Sequence, residues 1–263
     1  MDPHGRVIIL TGATQGIGLA TAHVLAQAGC QLALATRSKA RLDVLAGKLN
    51  TVGSQAIAVP TDMGDTQQAA NLVQATIETF GRLDVIINNA ALGVRDEVTT
   101  LNETEARRVM DVNYFGPVAL IQAAIPHLKA NPQGGLIINI SSIVGRRAMP
   151  GIAGYCASKA ALEKMAESLR IELKNDNVRV STVYPGVTAT RFNDNSLGDS
   201  LSGRGRMKGV PPERVAQAIL QTIRHERRDV FITLFDRAFV TASMIWPWFM
   251  DYLLSSYSRR SQT

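Results

Sequence analysis

The sequence predicts an α/β fold, one doubly wound domain with a parallel seven-stranded sheet and helices on both faces. Three observations predict it. Seven short apolar runs alternate with helix-length segments along the chain. The runs are continuously apolar rather than alternating, which is how strands covered on both faces read. No linker, repeat or low-complexity tract divides the 263 residues, a length one α/β unit can hold.

The elements follow in order. "RVIILT" (6–11) is the first strand, with a helix expected over 17–28. "QLALAT" (31–36) precedes a helix over 39–50, and "QAIAVP" (55–60) one over 66–80. "LDVIIN" (83–88) leads to a long helix over 102–130. That helix opens on "NETE" (102–105), an Asn N-cap with Glu at N3 as in a capping box. Pro117 lies inside it and has no N–H, so the carbonyl of Asn113 loses its helical donor. "GLIINI" (135–140) and the helix 153–174 come next, then "VRVSTV" (178–183), the helix 212–226 and "VFITL" (230–234). Residues 1–235 are read as the fold proper, with a Gly/Ser-rich substrate lid over 190–210. Residues 236–263 are read as an apolar, basic C-terminal extension.

Composition excludes several classes. The chain is 46% hydrophobic and 19% charged, ordinary for a packed domain. Cys30 and Cys156 are too few for a disulfide framework, and no CxxC or Cys/His cluster suggests a metal. A reducing, cytoplasmic compartment is expected, and no signal peptide, because "MDPHGRVIILTG" runs straight into a strand. The net charge of +6 is uneven: residues 1–200 hold 18 Lys/Arg against 17 Asp/Glu, residues 201–263 hold ten against five. A near-neutral body argues against nucleic acid, and the basic last quarter is a candidate for an anionic surface or a solvated rim.

Ligands of such sheets bind outside the carboxyl ends of the strands. After the first strand, "TGATQGIG" (11–18) sets glycines at 12, 16 and 18, where a tight turn brings N–H groups to a pyrophosphate at a helix start. The second strand ends in "ATRS" with no acid for a ribose hydroxyl. Arg37 there suits a 2′-phosphate, with Ser38 beside it or capping the next helix. NADP(H) is therefore favoured, and NAD(H) is the alternative if Arg37 is merely solvated. "TDM" (61–63) puts Asp62 near an adenine amino group or at a helix cap, and "NNAA" (88–91) follows the fourth strand.

In "SSIVGRRAMPGIAGYCASK" (141–159), Tyr155 and Lys159 share one helix face, four residues apart. An ammonium about 4 Å from a phenol is worth on the order of 4 kcal/mol at an effective dielectric of 20, enough to make it acidic. Ser142 stands two residues past the fifth strand's last apolar residue, whereas strand alternation turns Ser141 away.

Together "TGATQGIG", "NNAA", Asn113, Ser142, "YCASK" and "YPGVTAT" (184–190) resemble the short-chain dehydrogenase/reductase family, in its single-domain Rossmann branch, over about residues 5 to 235. The resemblance implies a catalytic set of Asn113, Ser142, Tyr155 and Lys159, with Asn113 holding a water that leads protons toward Lys159. It implies cofactor contacts from Gly12, Thr14, Gln15, Gly16, Ile17 and Gly18, from Arg37 and Ser38, and from Asp62 and Met63. Asn89, Ala90 and Ala91, Tyr155 and Lys159, and Pro185, Gly186, Val187, Thr188 and Thr190 complete that set. Two positions depart from the family: Ala91, where glycine is usual, and Gln15, where many NADP-preferring members carry a basic residue.

The expected activity is NADP(H)-dependent interconversion of a hydrophobic ketone or aldehyde and its alcohol, in a homodimer or homotetramer. Leu92, Val94, Ile143, Val144 and Met149 suit an apolar substrate, while Arg146 and Arg147 are either solvated or anion-binding. The alternatives are an NAD-dependent alcohol dehydrogenase and a catalytically idle dinucleotide sensor or scaffold. A sugar epimerase or dehydratase fits less well, since those kin carry another glycine spacing. The run "AFVTASMIWPWFM" (238–250) is too short to span a bilayer. It reads as an interfacial membrane anchor, a flap over the substrate pocket or a subunit contact.

Overall fold

A computed structural model describes residues 1–51, 53–198 and 209–259, so positions 199–208 of the expected lid lie outside the described residues. The strands are β1 (Val7–Thr11), β2 (Gln31–Thr36), β3 (Ala56–Pro60), β4 (Val85–Asn88), β5 (Gly135–Ile140), β6 (Val178–Tyr184) and β7 (Asp229–Phe231). Among the described residues they form one parallel sheet in the order β3-β2-β1-β4-β5-β6-β7. The order reverses between β1 and β4, the kind of switch point at whose carboxyl side such sheets take their ligands.

The apolar runs bury both faces. Ile8, Leu10, Leu32, Leu34, Val85 and Ile87 face one core, shared with α1 (Gly16–Gln27), α2 (Lys39–Thr51) and α8 (Pro212–His225). Their strand neighbours Ile9, Ala33, Ala35 and Ile86 face the other core, with α3 (Thr66–Phe80), α5 (Gly116–Ala130) and α7 (Ala153–Glu172). The period of two thus feeds both layers, which is why no polar alternation marks these strands.

The expected helix over 102–130 is three pieces. α4 (Glu103–Met110) starts at Asn102, whose side chain accepts from the Glu105 N–H at 3.2 Å. A π-turn, Asp111–Phe115, follows, and α5 then begins just before Pro117. The Gly116 N–H reaches back to the Asp111 carbonyl, so the missing proline donor is absorbed as one wide turn rather than a break.

The C-terminal end differs from expectation. β7 is only three residues long, and Thr233 forms a complete capping box with Asp236 that opens α9 (Leu234–Ile245). α10 (Pro247–Arg259) follows a corner at Trp246–Pro247. An added Cβ on Gly186 would lie 2.2 Å from Asp236 Oδ1, so the start of α9 rests on the loop after β6. Among the described residues no helix is long and apolar enough to cross a membrane.

Candidate active site

The glycine loop is built for close approach. Gly12 and Gly16 have φ of +67° and +51°, which side chains rarely adopt. A Cβ on Gly12 would meet Ala90 Cα and Asn89 Nδ2 at 2.9 Å, and one on Gly18 would sit 2.0 Å from the Gly12 carbonyl oxygen. One on Gly16 would touch the Thr190 methyl at 3.0 Å, so the loop after β6 lies over the glycine turn. The N-terminus of α1 has no capping side chain and no acid in its first turn, so its amide dipoles are left for an anion. Thr14, Gln15 and Ile17 fill the turn, and Gln15 Oε1 accepts from Asn195 Nδ2 at 3.4 Å.

Asn89 ties β4 to β1, its amide donating to the carbonyls of Thr11 at 2.8 Å and Gly12 at 3.2 Å. Ala91 has no positive φ, so its methyl is accommodated without backbone strain. At the end of β2, Arg37 is exposed and makes no hydrogen bond or ion pair among the described residues. Ser38 caps α2, accepting from the Arg41 N–H at 3.4 Å.

Asp62 is differently engaged from expectation. Arg108 on α4 holds both its oxygens, at 2.8 and 2.5 Å, and Gly64 donates its N–H to Oδ1 at 2.9 Å. The helix cap is Asp65 instead, accepting from Gln67 and Gln68. Met63 is buried, with its carbonyl against Gly116.

Beyond β5, α6 (Ile143–Arg146) begins at Ser142. The Ser142 hydroxyl donates to the Pro185 carbonyl at 3.2 Å and accepts from the Val144 N–H at 3.3 Å. It also faces the Tyr155 phenol, as the one neighbour that favours the phenolate. Ser141 is turned away and buried, its hydroxyl toward the Lys159 carbonyl at 3.4 Å.

Lys159 Nζ lies 5.8 Å from the centre of the Tyr155 ring and donates to the Ile140 carbonyl at 2.8 Å. Burial pushes this ammonium down to about 7. Burial also raises the Tyr155 phenol above its ordinary value, so an acid phenol made by a standing cation is not what this geometry produces. Lys159 is buried and Tyr155 half-buried at the carboxyl edge of the sheet, and desolvation is the largest influence on each.

Asn113 is wholly buried. Its amide brackets Leu92, accepting from the N–H and donating to the carbonyl at 2.8 Å each, and also donates to Ser158 Oγ at 2.9 Å. Its side chain therefore ties the loop after β4 to the residue beside Lys159. In the loop after β6, the Thr188 hydroxyl donates to the Gly186 carbonyl at 3.2 Å, and Thr190 Oγ1 accepts from Phe192 N at 3.3 Å. The Val187 carbonyl accepts from Val210 N at 2.9 Å.

The matching comparisons name the family. A model of the short chain dehydrogenase matches residues 6–200. The chain belongs to the short-chain dehydrogenase/reductase family. A family relative, the dehydrogenase/reductase SDR family protein 7-like of Anopheles gambiae, is 35% identical over 240 residues, 87% of this chain and 75% of the relative. A short chain dehydrogenase from Burkholderia cenocepacia, solved in complex with NADP, is 28% identical with a TM-score of 0.81, over 97% of this chain and 99% of that one. A 3-ketoacyl-(acyl-carrier-protein) reductase from Brucella melitensis, complexed with NADH, is 27% identical with a TM-score of 0.77, over 87% and 96%.

Phe192 and Leu197 have no individual signal in the sequence, and the two arginines expected to be solvated or anion-binding are engaged otherwise. Phe192, in a short 3-10 turn (Phe192–Asn195), packs on Tyr155 with ring centres 5.4 Å apart. Leu197 pairs with Gly93 and Arg95 through backbone bonds of 2.8 Å, zipping two of the expected substrate segments together. Arg146 is neither solvated nor in the pocket. Its guanidinium ion-pairs with buried Glu163 at 2.5 Å, donates to the Tyr184 hydroxyl at 2.7 Å and lies 4.9 Å over that ring. Arg147 pairs with Asp251 of α10. The one available signal was spacing: Tyr155, Lys159 and Glu163 recur every four residues along one face of α7.

Proposed function

We propose that the chain is an NADP(H)-dependent oxidoreductase that interconverts a hydrophobic ketone or aldehyde and its alcohol. The observation that carries this reading is the grouping of three residues at the carboxyl end of β5: Ser142 just past the strand, Tyr155 facing it, and Lys159 one turn further along α7 and bonded to the Ile140 carbonyl.

The residues fit a dinucleotide. Gly12, Gly16 and Gly18 leave no room for side chains, and the uncapped start of α1 offers N–H groups to a pyrophosphate. Arg37, with no competing acid, would fork onto a 2′-phosphate, which favours NADP(H) over NAD(H). Asp62 and Met63, Asn89 to Ala91, and the loop Pro185–Thr190 would line the rest. When bound, the cofactor supplies or accepts hydride at its nicotinamide ring.

The chain's own groups move the proton. Burial keeps Tyr155 protonated, which suits donation of its phenolic proton to the carbonyl oxygen of the substrate in the reducing direction. Ser142 holds that oxygen with its hydroxyl. Lys159, near half protonated at neutrality, resupplies the phenol. The main-chain carbonyl of Asn113, within the π-turn, would extend the relay, while its side chain fixes α7 through Ser158.

The substrate side is apolar. Phe192 packs on Tyr155, and the arginines of the 143–150 loop are committed to Glu163 and Asp251. An uncharged carbonyl therefore suits the pocket better than an anion. Consumption of NADPH across a panel of hydrophobic ketones and aldehydes tests the reading: turnover of none of them, in either direction, counts against it.

A further inference from the structure

Among the described residues, nine of the fourteen large apolar side chains that stand exposed lie between positions 234 and 253. On each of α9 and α10 they alternate with a buried side. The inner side is held: Val240, Ser243 and Met250 are buried, Asp236 closes the capping box, and Asp251 pairs with Arg147. On the outer side Leu234, Phe235 and Trp248 keep 87%, 75% and 71% of their surface, and Trp246 keeps 54%. A solvent-facing helix side is ordinarily polar, and a clustered apolar face marks an interaction surface.

We propose that this outer face lies in the headgroup layer of an anionic phospholipid membrane, with α9 and α10 in the plane of the surface. Three features select lipid as the occupant. Two tryptophans flank Pro247 at the helix corner, and an indole, apolar with one N–H, suits the water–lipid boundary. The exposed residues of 234–253 offer few hydrogen-bonding groups apart from Arg237, Thr241, Asp251, Tyr252 and the indoles, too few for the hydrogen bonds that protein interfaces form. The charge is complementary to anionic headgroups. Asp236 is buried and Asp251 is neutralised by Arg147, which leaves Arg237 exposed, and no acid follows Asp251 in a sequence that still carries Arg259 and Arg260. The helices are too short and too mixed to cross. This placement does not depend on the catalytic reading above.

The test is flotation of the full chain with vesicles of phosphatidylcholine alone and of phosphatidylcholine with phosphatidylserine, read with tryptophan emission. The wild type is expected to float with the anionic vesicles and shift its emission to the blue. Trp248→Ser and Phe235→Ser are each expected to lower partitioning at least about tenfold, since burying an aromatic side chain is worth roughly 1.5–3 kcal/mol. Arg237→Glu should weaken binding to the anionic vesicles only. Circular dichroism and turnover of a water-soluble carbonyl report whether each variant is folded. A wild type that stays with neither vesicle type at low salt overturns the proposal. So does a dimer in sedimentation velocity that Trp248→Ser dissociates while vesicles bind nothing, which would assign the face to a second copy of the chain.

Discussion

The ammonium of Lys159 donates to the main-chain carbonyl of Ile140 at 2.8 Å, joining the helix that carries Tyr155 to the last residue of the strand that presents Ser142. The bond satisfies one donor of a group that is 2% exposed, yet it does not repay the loss of water, and burial holds the amine at about 7.

A pH dependence of stability follows. Below about pH 7 Lys159 is protonated in both states and its full burial penalty weakens the fold. Between about 7 and its ordinary value near 10.4 the unfolded chain binds more protons, so stability climbs with pH. Lys159→Met removes the charge. It is expected to be more stable than the wild type by on the order of a few kcal/mol below pH 7, with the gap closing as pH rises toward 10. Urea unfolding at a series of pH values measures it, and a gap that does not change with pH would contradict the assignment.

The Arg146–Glu163 pair fastens the Ser142 loop to α7. Glu163 is 1% exposed, its Oε2 has no hydrogen-bond partner among the described residues, and burial pushes its carboxyl up in spite of Arg146. Arg146→Met leaves that charge uncompensated and is expected to cost about 3–5 kcal/mol, whereas Arg146→Met and Glu163→Leu together should regain most of it. A double-mutant cycle on unfolding free energies measures the coupling. Additive losses would mean the pair is incidental.

Two glycines give a matched contrast. Gly18→Ala drives a methyl to 2.0 Å from a carbonyl oxygen, so a loss of at least about 2 kcal/mol and of dinucleotide binding is expected. Gly47→Ala, exposed within α2 with nothing within 4 Å, is expected to gain about 0.5–1 kcal/mol. Thermal unfolding and NADPH titration of both variants check the pair.

Cofactor choice is expected to rest on Arg37. Arg37→Ala should raise the KM for NADPH by roughly 10–100-fold, the worth of a charge-assisted hydrogen bond to phosphate, and leave that for NADH unchanged. Equal changes for both cofactors would remove Arg37 from the 2′-phosphate site.

Much of the fold was legible because the sheet buries both faces. The strands read as unbroken apolar runs, and the helix 66–80 reads from Thr66 to Gly81, whose αL cap ends it. The long helix over 102–130 hid its π-turn, since periodicity registers a proline but not how the chain absorbs it. The end of "VFITL" was misread because Thr233 suits a strand as well as the capping box it forms with Asp236. Spacing placed Tyr155 and Lys159 on one face and Ser142 at the strand end. It gave no sign that Arg108 would take Asp62, or that Lys159 would reach a carbonyl nineteen residues earlier. Those partners meet only through tertiary packing.

The central claim is that the Tyr155 phenol delivers the proton. The direct measurement is kcat for Tyr155→Phe on whichever carbonyl the wild type reduces, alongside NADPH affinity. The account predicts a fall of roughly 10²–10⁴-fold in kcat with affinity for NADPH unchanged. Turnover at the wild-type rate in the phenylalanine variant would contradict it.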